Sequence, residues 1–409
     1  MRIVDIECTH VIIPKTSSNI IGGRDEYEGI PYRDEDVHEI QSFVDKVPHF
    51  GNALSCIVKV YTDDGIVGIA EGHAGRNCEM ERIRENILGS DVYDISRIAN
   101  VLMFGRGNSL RARPKNALLP GTKEMAAVDG ALWDCIAKKA GVPVYKLMGG
   151  KVRESVPITL FLGDRPIDEC IEAVGKAVAE GIGTIKLKTG CNDKRDVDLL
   201  REIRNEFGYD LILRIDSNAA WDVVEGIRVL KRMAPYNLQY AEGMLRQCES
   251  GRSFRRLREA TGVPMCICEQ FAGYGEISAE EALIRTVELI RMNACDVLSL
   301  DPSRSGGLLG FNQICALCEG AGIQVVTHRA NTSLSGALWL TCCMSNYATS
   351  LAQDIVPVGQ PSAPKYDTVF ETLKPENGYM KPWDSPGWGM TLNEDILKKY
   401  ENIDRANHN

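Results

Sequence analysis

Apolar and polar positions alternate with a period of two near the start of the chain and recur as short apolar bursts between helical stripes further on. RIVDIEC and LSCIVKVYTDDGIVGIAEG read as one strand followed by a hairpin, with Asp64-Gly65 as the turn signal. In TKEMAAVDGALWDCIAKKAG, Met125, Val128, Leu132 and Ile136 lie three or four apart on one helix face, and Gly141 marks the stop. These elements predict an α+β capping module over residues 1–130. Between its first strand and the hairpin runs a polar, Gly-rich stretch, 15–50. Structureless connections that long are usually functional lids or disordered, and a substrate-covering loop is expected there.

From about residue 152 the pattern changes to strand, then helix. VPITLFL, GTIKLKTG, LILRIDSN, LQYAEG, PMCICEQ, DVLSLD, QVVTHR and, more weakly, SLAQDIV read as strands. The helices between them carry core-facing stripes, such as Val197, Leu200, Ile203 and Phe207. Repeated βα units predict a parallel sheet with right-handed crossovers, and eight of them close a barrel. The barrel is expected over 131–375, and 376–409 is expected to pack back on the capping module.

Six charged or titratable residues follow these bursts at intervals of 26 to 32 residues: Lys188, Asp216, Glu242, Glu269, Asp301 and His328. Barrels of this kind carry their chemistry at the strand C-termini, where all six fall. Asp216, Glu242 and Glu269 end consecutive strands with no His or Cys among them, a set that suits a hard ion such as magnesium better than zinc. Lys186 and Lys188 alternate along one strand and therefore point the same way. Two close ammonium groups depress one another's pKa, the direction a lysine base requires. His328 is the lone histidine of the barrel stretch, and Asp301 ends the strand before it. A carboxylate beside an imidazole fixes its tautomer and favours its protonated form.

Composition narrows the picture. At 409 residues, with 44% hydrophobic and 25% charged side chains, the chain fits one barrel plus a smaller domain. A net charge of -9 argues against nucleic acid as a partner. No apolar run reaches the roughly 18 residues a membrane span needs. MRIVDIECTH lacks the apolar core of a signal peptide, so a cytoplasmic protein is expected. The 14 cysteines are scattered, mostly within apolar runs, and even the C-x-x-C at Cys315 and Cys318 reads as packing rather than as metal or redox chemistry.

The chain resembles the enolase superfamily, and within it the mandelate racemase-like subgroup, in Lys186-x-Lys188, the RIDSNAAW segment with Asp216, Glu242, Glu269 and the Asp301/His328 pair. ALWDCIAKKAGVPVYKLMGG and PWDSPGWGM extend the likeness over nearly the whole length. The resemblance implies a modified TIM-type (β/α)7β barrel with an N-terminal α+β capping domain, one Mg2+ per active site and a small-molecule carboxylate as substrate. It implies Lys188 and His328 as bases on opposite faces of that substrate, with Asp301 and Lys186 completing the catalytic set. Dehydration of an acid sugar to a 2-keto-3-deoxy acid is the leading expectation. A racemase or epimerase comes second, and a cycloisomerase or a non-catalytic paralogue ranks lower.

Two departures stand out. YAEGML replaces the Glu-then-Pro turn common after the second ligand, and SLAQDIV offers Gln353 or Asp354 where relatives often carry a glutamate. Some relatives place the third ligand one residue earlier, but Cys268 there leaves Glu269 as the good oxygen donor. Asn218, Arg24, Tyr32, Arg33 and His49 are further candidates for contact with substrate. A homo-oligomer is expected.

Overall fold

The computed structural model describes residues 1–14, 52–73, 78–102, 123–163, 165–246, 249–268, 279–328, 330, 332–356 and 364–401. The chain opens with a three-stranded antiparallel sheet, β1 (Ile3–Pro14), β2 (Asn52–Thr62) and β3 (Val67–His73), in the order β1-β2-β3. β-Branched residues fill these strands, the composition a pleated, packed surface favours. Gly65, at φ +83°, makes the tight turn between β2 and β3, where Thr62 N donates to Ile66 O at 3.1 Å. Helices α1 (Cys78–Ile87), α2 (Ile95–Leu102) and α3 (Lys123–Ala140) follow.

Both faces of this sheet are covered. Ile6, Cys56, Val58 and Val60 pack with Ile83, Ile87, Val128 and Leu132 in the core of the capping domain. Val11, Ile13, Ile57 and Ile69 join the larger core that runs through the barrel. The period-two pattern is therefore blurred towards continuous apolarity in β2, as sandwiching on two faces requires.

A short helix α4 (Val144–Leu147) and strand β4 (Val156–Pro157) lead into the repeat. It runs β5 (Leu160–Leu162), α5 (Ile167–Ala179), β6 (Thr184–Lys188), α6 (Asp193–Phe207), β7 (Ile212–Asp216), α7 (Val223–Met233) and β8 (Leu238–Glu242). It continues with α8 (Gly251–Thr261), β9 (Met265–Ile267), α9 (Ala279–Met292), β10 (Val297–Leu300), α10 (Gly307–Ala321), β11 (Gln324–Thr327) and α11 (Ser333–Ser345). β5 to β11 form one curled, seven-stranded parallel sheet in sequence order. Strand alternates with amphipathic helix as the 2.0 and 3.6 periodicities require.

The segment Leu351–Ile355 stands where the eighth barrel strand belongs. It bridges the sheet edges through parallel pairs Ile158↔Gln353 and Ala330↔Ile355. Gln353 N donates to Pro157 O at 2.8 Å, and Thr159 N donates to Gln353 O at 3.0 Å. The weak pattern of SLAQDIV has a physical cause: side-chain bonds stand in for part of a regular ladder. Thr327 N donates to Gln353 Oε1 at 2.7 Å, and Gln353 Nε2 donates to Leu351 O at 2.9 Å.

Beyond α11, β12 (Tyr379–Met380) pairs antiparallel with β4, and the last helix is α12 (Glu394–Lys399). This end touches the capping sheet. Trp388 Nε1 donates to Ile69 O at 2.8 Å, Ile12 N donates to Tyr400 O at 2.9 Å, and Lys59 pairs with Glu394 at 2.7 Å. Twelve cysteines between Cys8 and Cys343 are free thiols, and ten of these are buried, Cys315 and Cys318 with them. No described helix is long and apolar enough to cross a membrane.

Candidate active site

Parallel register stacks inward side chains in rungs. Phe161, Lys186, Arg214 and Tyr240 are aligned across β5 to β8. Two residues onward, towards the strand C-termini, Lys188, Asp216, Glu242 and Cys266 form the next rung across β6 to β9. Alternation alone places both rungs on the same face of the sheet.

The upper rung joins opposite charges. Lys188 Nζ donates to Asp216 Oδ2 at 2.5 Å and to Asn218 Oδ1 at 2.7 Å. Asn218, at φ +45°, also turns its backbone N–H onto Asp216 Oδ1 at 3.0 Å. A left-handed backbone is tolerated by Asn because its short amide bonds locally, and here it locks the carboxylate and ammonium together. Burial opposes the Asp216 charge, but Lys188 and Lys186 outweigh it and hold this carboxyl below its ordinary pKa.

The lower rung is sealed. Lys186 Nζ donates to Glu242 Oε2 at 2.5 Å and to Asp354 Oδ2. Its ammonium also lies 4.9 Å from the centroid of the Phe161 ring. The side chain of Lys186 is 2% exposed against 17% for Lys188, so only Lys188 opens towards the mouth. The argument from mutual repulsion fails for Lys186. Burial does work against its charge, but Asp354 and Glu242 prevail and raise its pKa well above the usual lysine value. For Lys186, attraction to these two carboxylates exceeds any repulsion from Lys188.

Arg214 holds this floor together, a residue the sequence reading passed over. Fully buried, it donates from Nε to Gln239 Oε1 at 2.7 Å, and from Nη1 to Thr159 Oγ1 at 3.0 Å and Ala352 O at 2.8 Å. Nη1 stands 3.9 Å from Asp354 Oδ1, and the guanidinium lies 4.7 Å from the Tyr240 ring centroid. The signal was present. Arg214 precedes Asp216 by two residues in an apolar strand, as Lys186 precedes Lys188.

Of the two eighth-strand candidates, Asp354 reaches the cluster. Gln353 spends its amide on Thr327 N and on the carbonyls of Val325, Thr349 and Leu351, within the wall. Asp301 and His328 each follow the paired ends Leu300↔Thr327, and His328 N donates to Leu300 O at 2.7 Å. They are therefore neighbours at the rim. Asp301 is buried; its Oδ1 accepts from Ser303 N at 2.8 Å and Ser303 Oγ at 2.6 Å, and Arg304 Nε lies 3.3 Å from Oδ2. Trp339 Nε1 donates to the carbonyl of His328. Asp301 thus anchors the turn into Pro302 as well as standing beside His328.

Glu269, Arg24, Tyr32, Arg33 and His49 lie outside the described residues. Among the described residues no trio of His, Cys, Asp and Glu is placed to hold a metal ion. Asp216 and Glu242 do supply two buried, adjacent carboxylates. That donor chemistry fits a hard divalent cation.

Residues 46–149 match the mandelate racemase / muconate lactonizing enzyme N-terminal domain, and residues 169–396 match the enolase C-terminal domain-like family. The chain belongs to the mandelate racemase and muconate lactonizing enzyme family of the enolase superfamily. Its family membership carries enzymes of several kinds. An L-Ala-D/L-Glu epimerase of Clostridium acetobutylicum is 27% identical over 82% of this chain and 90% of its own length. A D-mannonate dehydratase of Caulobacter vibrioides is 26% identical over 84% of this chain and 90% of its own length. In fold, the chain is similar to a racemase from Streptomyces coelicolor with bound magnesium, with TM-score 0.74 at 20% identity, covering 98% of this chain and 100% of that one. The (β/α)7β barrel with a capping domain is the architecture of this family, as the sequence led one to expect.

Proposed function

We propose that this family member removes the proton α to a carboxylate with the help of a divalent metal, and that its substrate is an acid sugar that it dehydrates to a 2-keto-3-deoxy acid. Asp216, Glu242 and Glu269 would hold the metal, magnesium by donor type. When bound, the ion supplies Lewis-acid stabilisation for the charge that grows on the substrate carboxylate. The observation that carries the reading is the rung Lys188–Asp216–Glu242, with His328 further round the same rim.

Charge counting supports it. Lys186, Lys188 and Arg214 balance Asp216, Glu242 and Asp354 among the inward groups described above. A divalent ion taken with Glu269 would leave one positive charge in surplus, which a substrate carboxylate neutralises. In the strand order, β7 to β10 lie between Lys188 and His328 on one side, and β5 and the eighth segment on the other. Lys188 takes the α-proton from one face of the substrate. His328, steadied by Asp301, meets the other face and donates a proton to the departing β-hydroxyl. Lys186, fixed as a cation beneath this rung, holds Glu242 and Asp354 in place from below.

Racemisation of a carboxylic acid is the second reading, because two bases on two faces also serve it and because an epimerase is among the relatives. Incubation with a panel of mono- and diacid sugars and magnesium, read with a carbonyl-specific reagent, tests the first reading. A keto acid from one sugar supports dehydration. Exchange of the α-proton with solvent and no keto acid from any sugar overturns it in favour of epimerisation.

A further inference from the structure

Asp301 heads the turn that leads from β10 into α10, and bonds from within that turn set its carboxylate. Ser303 N and Oγ donate to Oδ1, and Arg304 Nε stands 3.3 Å from Oδ2. The backbone closes on itself as well. Arg304 N and Ser305 N donate to Asp301 O at 2.9 and 3.0 Å, and Ser305 Oγ donates to the same carbonyl at 2.7 Å. Gly307 N donates to Pro302 O at 3.0 Å. These bonds stiffen the turn but do not fix it to the rest of the protein.

An anchor comes from the capping domain. Asp129 on α3, 1% exposed, accepts a hydrogen bond through Oδ2 from Leu308 N at 2.8 Å. Leu308 is the second residue of α10, and its amide is one that an N-cap side chain ordinarily takes. The N-cap here is Gly306, which has no side chain to offer. The helix is entered through two successive left-handed glycines, Gly306 at φ +89° and Gly307 at φ +66°. A Cβ on Gly307 would lie 2.3 Å from Asp129 Oδ2. The two elements therefore meet at a closeness that only glycine allows. A carboxylate from the capping domain fills the cap that α10 lacks.

We propose that Asp129 is a positioning residue for the Asp301–His328 pair, which it fixes by clamping the 301–307 turn to the capping domain; this rests on the roles given above to those two residues. Leu300 pairs with Thr327, so Asp301 and His328 are the next residues along two adjacent parallel strands. Their side chains leave the sheet side by side on one face. A carboxylate there favours the protonated imidazole and fixes its tautomer. Displacing the turn moves that charge relative to the ring, and a misplacement of about 1 Å can cost on the order of 100-fold in rate. Asp134, further along α3, is an internal comparison. It is equally buried, accepts from Ile69 N at 2.8 Å and Trp388 N at 2.9 Å, and pairs with Lys138 at 2.6 Å. Its partners belong to the capping domain and the C-terminal segment, away from the 301–307 turn.

The test follows the His328 imidazole by NMR titration of the substrate-free full chain with isotope-labelled histidine, the signal being the one that His328→Asn removes. In Asp129→Ala the midpoint should fall by roughly one pH unit, as the neighbouring carboxylate is displaced. Asp129→Asn keeps an acceptor for Leu308 N and should return most of that shift. Asp134→Ala should lose stability and leave the midpoint at the wild-type value. Gly307→Ala presses on the same contact from the other side and should move the midpoint in the same direction, which keeps the test open where Asp129→Ala does not fold. With the acid sugar that serves as substrate, Asp129→Ala should lower kcat about tenfold to 100-fold with little change in KM. A midpoint that stays put in Asp129→Ala and Gly307→Ala, or that moves as far in Asp134→Ala, overturns the proposal. A moved midpoint with unchanged turnover upholds the clamp and counts instead against His328 as the acid of the reaction.

Discussion

Asp216 and Glu242 stand directly opposite one another at the C-terminal ends of adjacent parallel strands, and each accepts a hydrogen bond from a different lysine at 2.5 Å. Two buried carboxylates this close repel unless cations separate them. Glu242→Gln keeps the shape and removes one charge. Calorimetric titration with magnesium should show affinity lowered about tenfold to a hundredfold. Unchanged binding would remove Glu242 from the ligand set.

Arg214 carries the second prediction. Replacement by Met leaves Asp354, Gln239 and Thr159 facing an apolar stem inside the barrel. Removing one partner of a buried ion pair typically costs about 3–5 kcal/mol. Urea unfolding of Arg214→Met should show a loss of that order, and Arg214→Lys should recover only part of it, because an ammonium cannot reproduce the guanidinium fork. A midpoint within error of wild type would show that the floor of the barrel does not depend on this residue.

How far the sequence reached can be judged on particular residues. The strand–helix period and the placing of charged residues at the strand ends were legible because alternation and the βα repeat are local, so Lys188, Asp216 and Glu242 fall on one rung. Pairing between strands is not local. Nothing near Lys186 in sequence announces that Glu242 and Asp354 will hold its charge, so its pKa moves up where a lysine pair considered alone should move down. Gln353 and Asp354 are adjacent in sequence, yet one is spent on the barrel wall and the other enters the site. Only the closure of the ring distinguishes them.

Glu71 ties the capping sheet to the barrel and predicts a dependence on pH. Ser55 Oγ donates to it at 2.6 Å, Thr368 Oγ1 at 3.2 Å and Thr332 Oγ1 as well, Thr332 being the N-cap of α11. Burial pushes its pKa up to about 7, despite the hydroxyl donors that work the other way. The folded state therefore keeps a proton that the unfolded state releases. This contribution to stability is complete below the ordinary carboxylate pKa and fades as pH rises through about 7. Asp129, buried and likewise raised to about 7, slopes the same way. Between about pH 5 and pH 8, Glu71→Gln should remove on the order of 2–3 kcal/mol of the wild-type decline. Parallel stability curves for variant and wild type would contradict the assignment.

The measurement that bears most directly on the central claim follows the substrate α-proton by NMR in deuterated water, using the acid sugar that the screen returns. Wild type, Lys188→Ala and His328→Asn are compared with magnesium present. Each single variant should lose turnover by roughly 100-fold to 10,000-fold, the scale of a missing acid or base. His328→Asn should still exchange the α-proton for deuterium, because Lys188 remains on its face, and Lys188→Ala should not. Full turnover in both single variants would contradict a reaction run by these two residues.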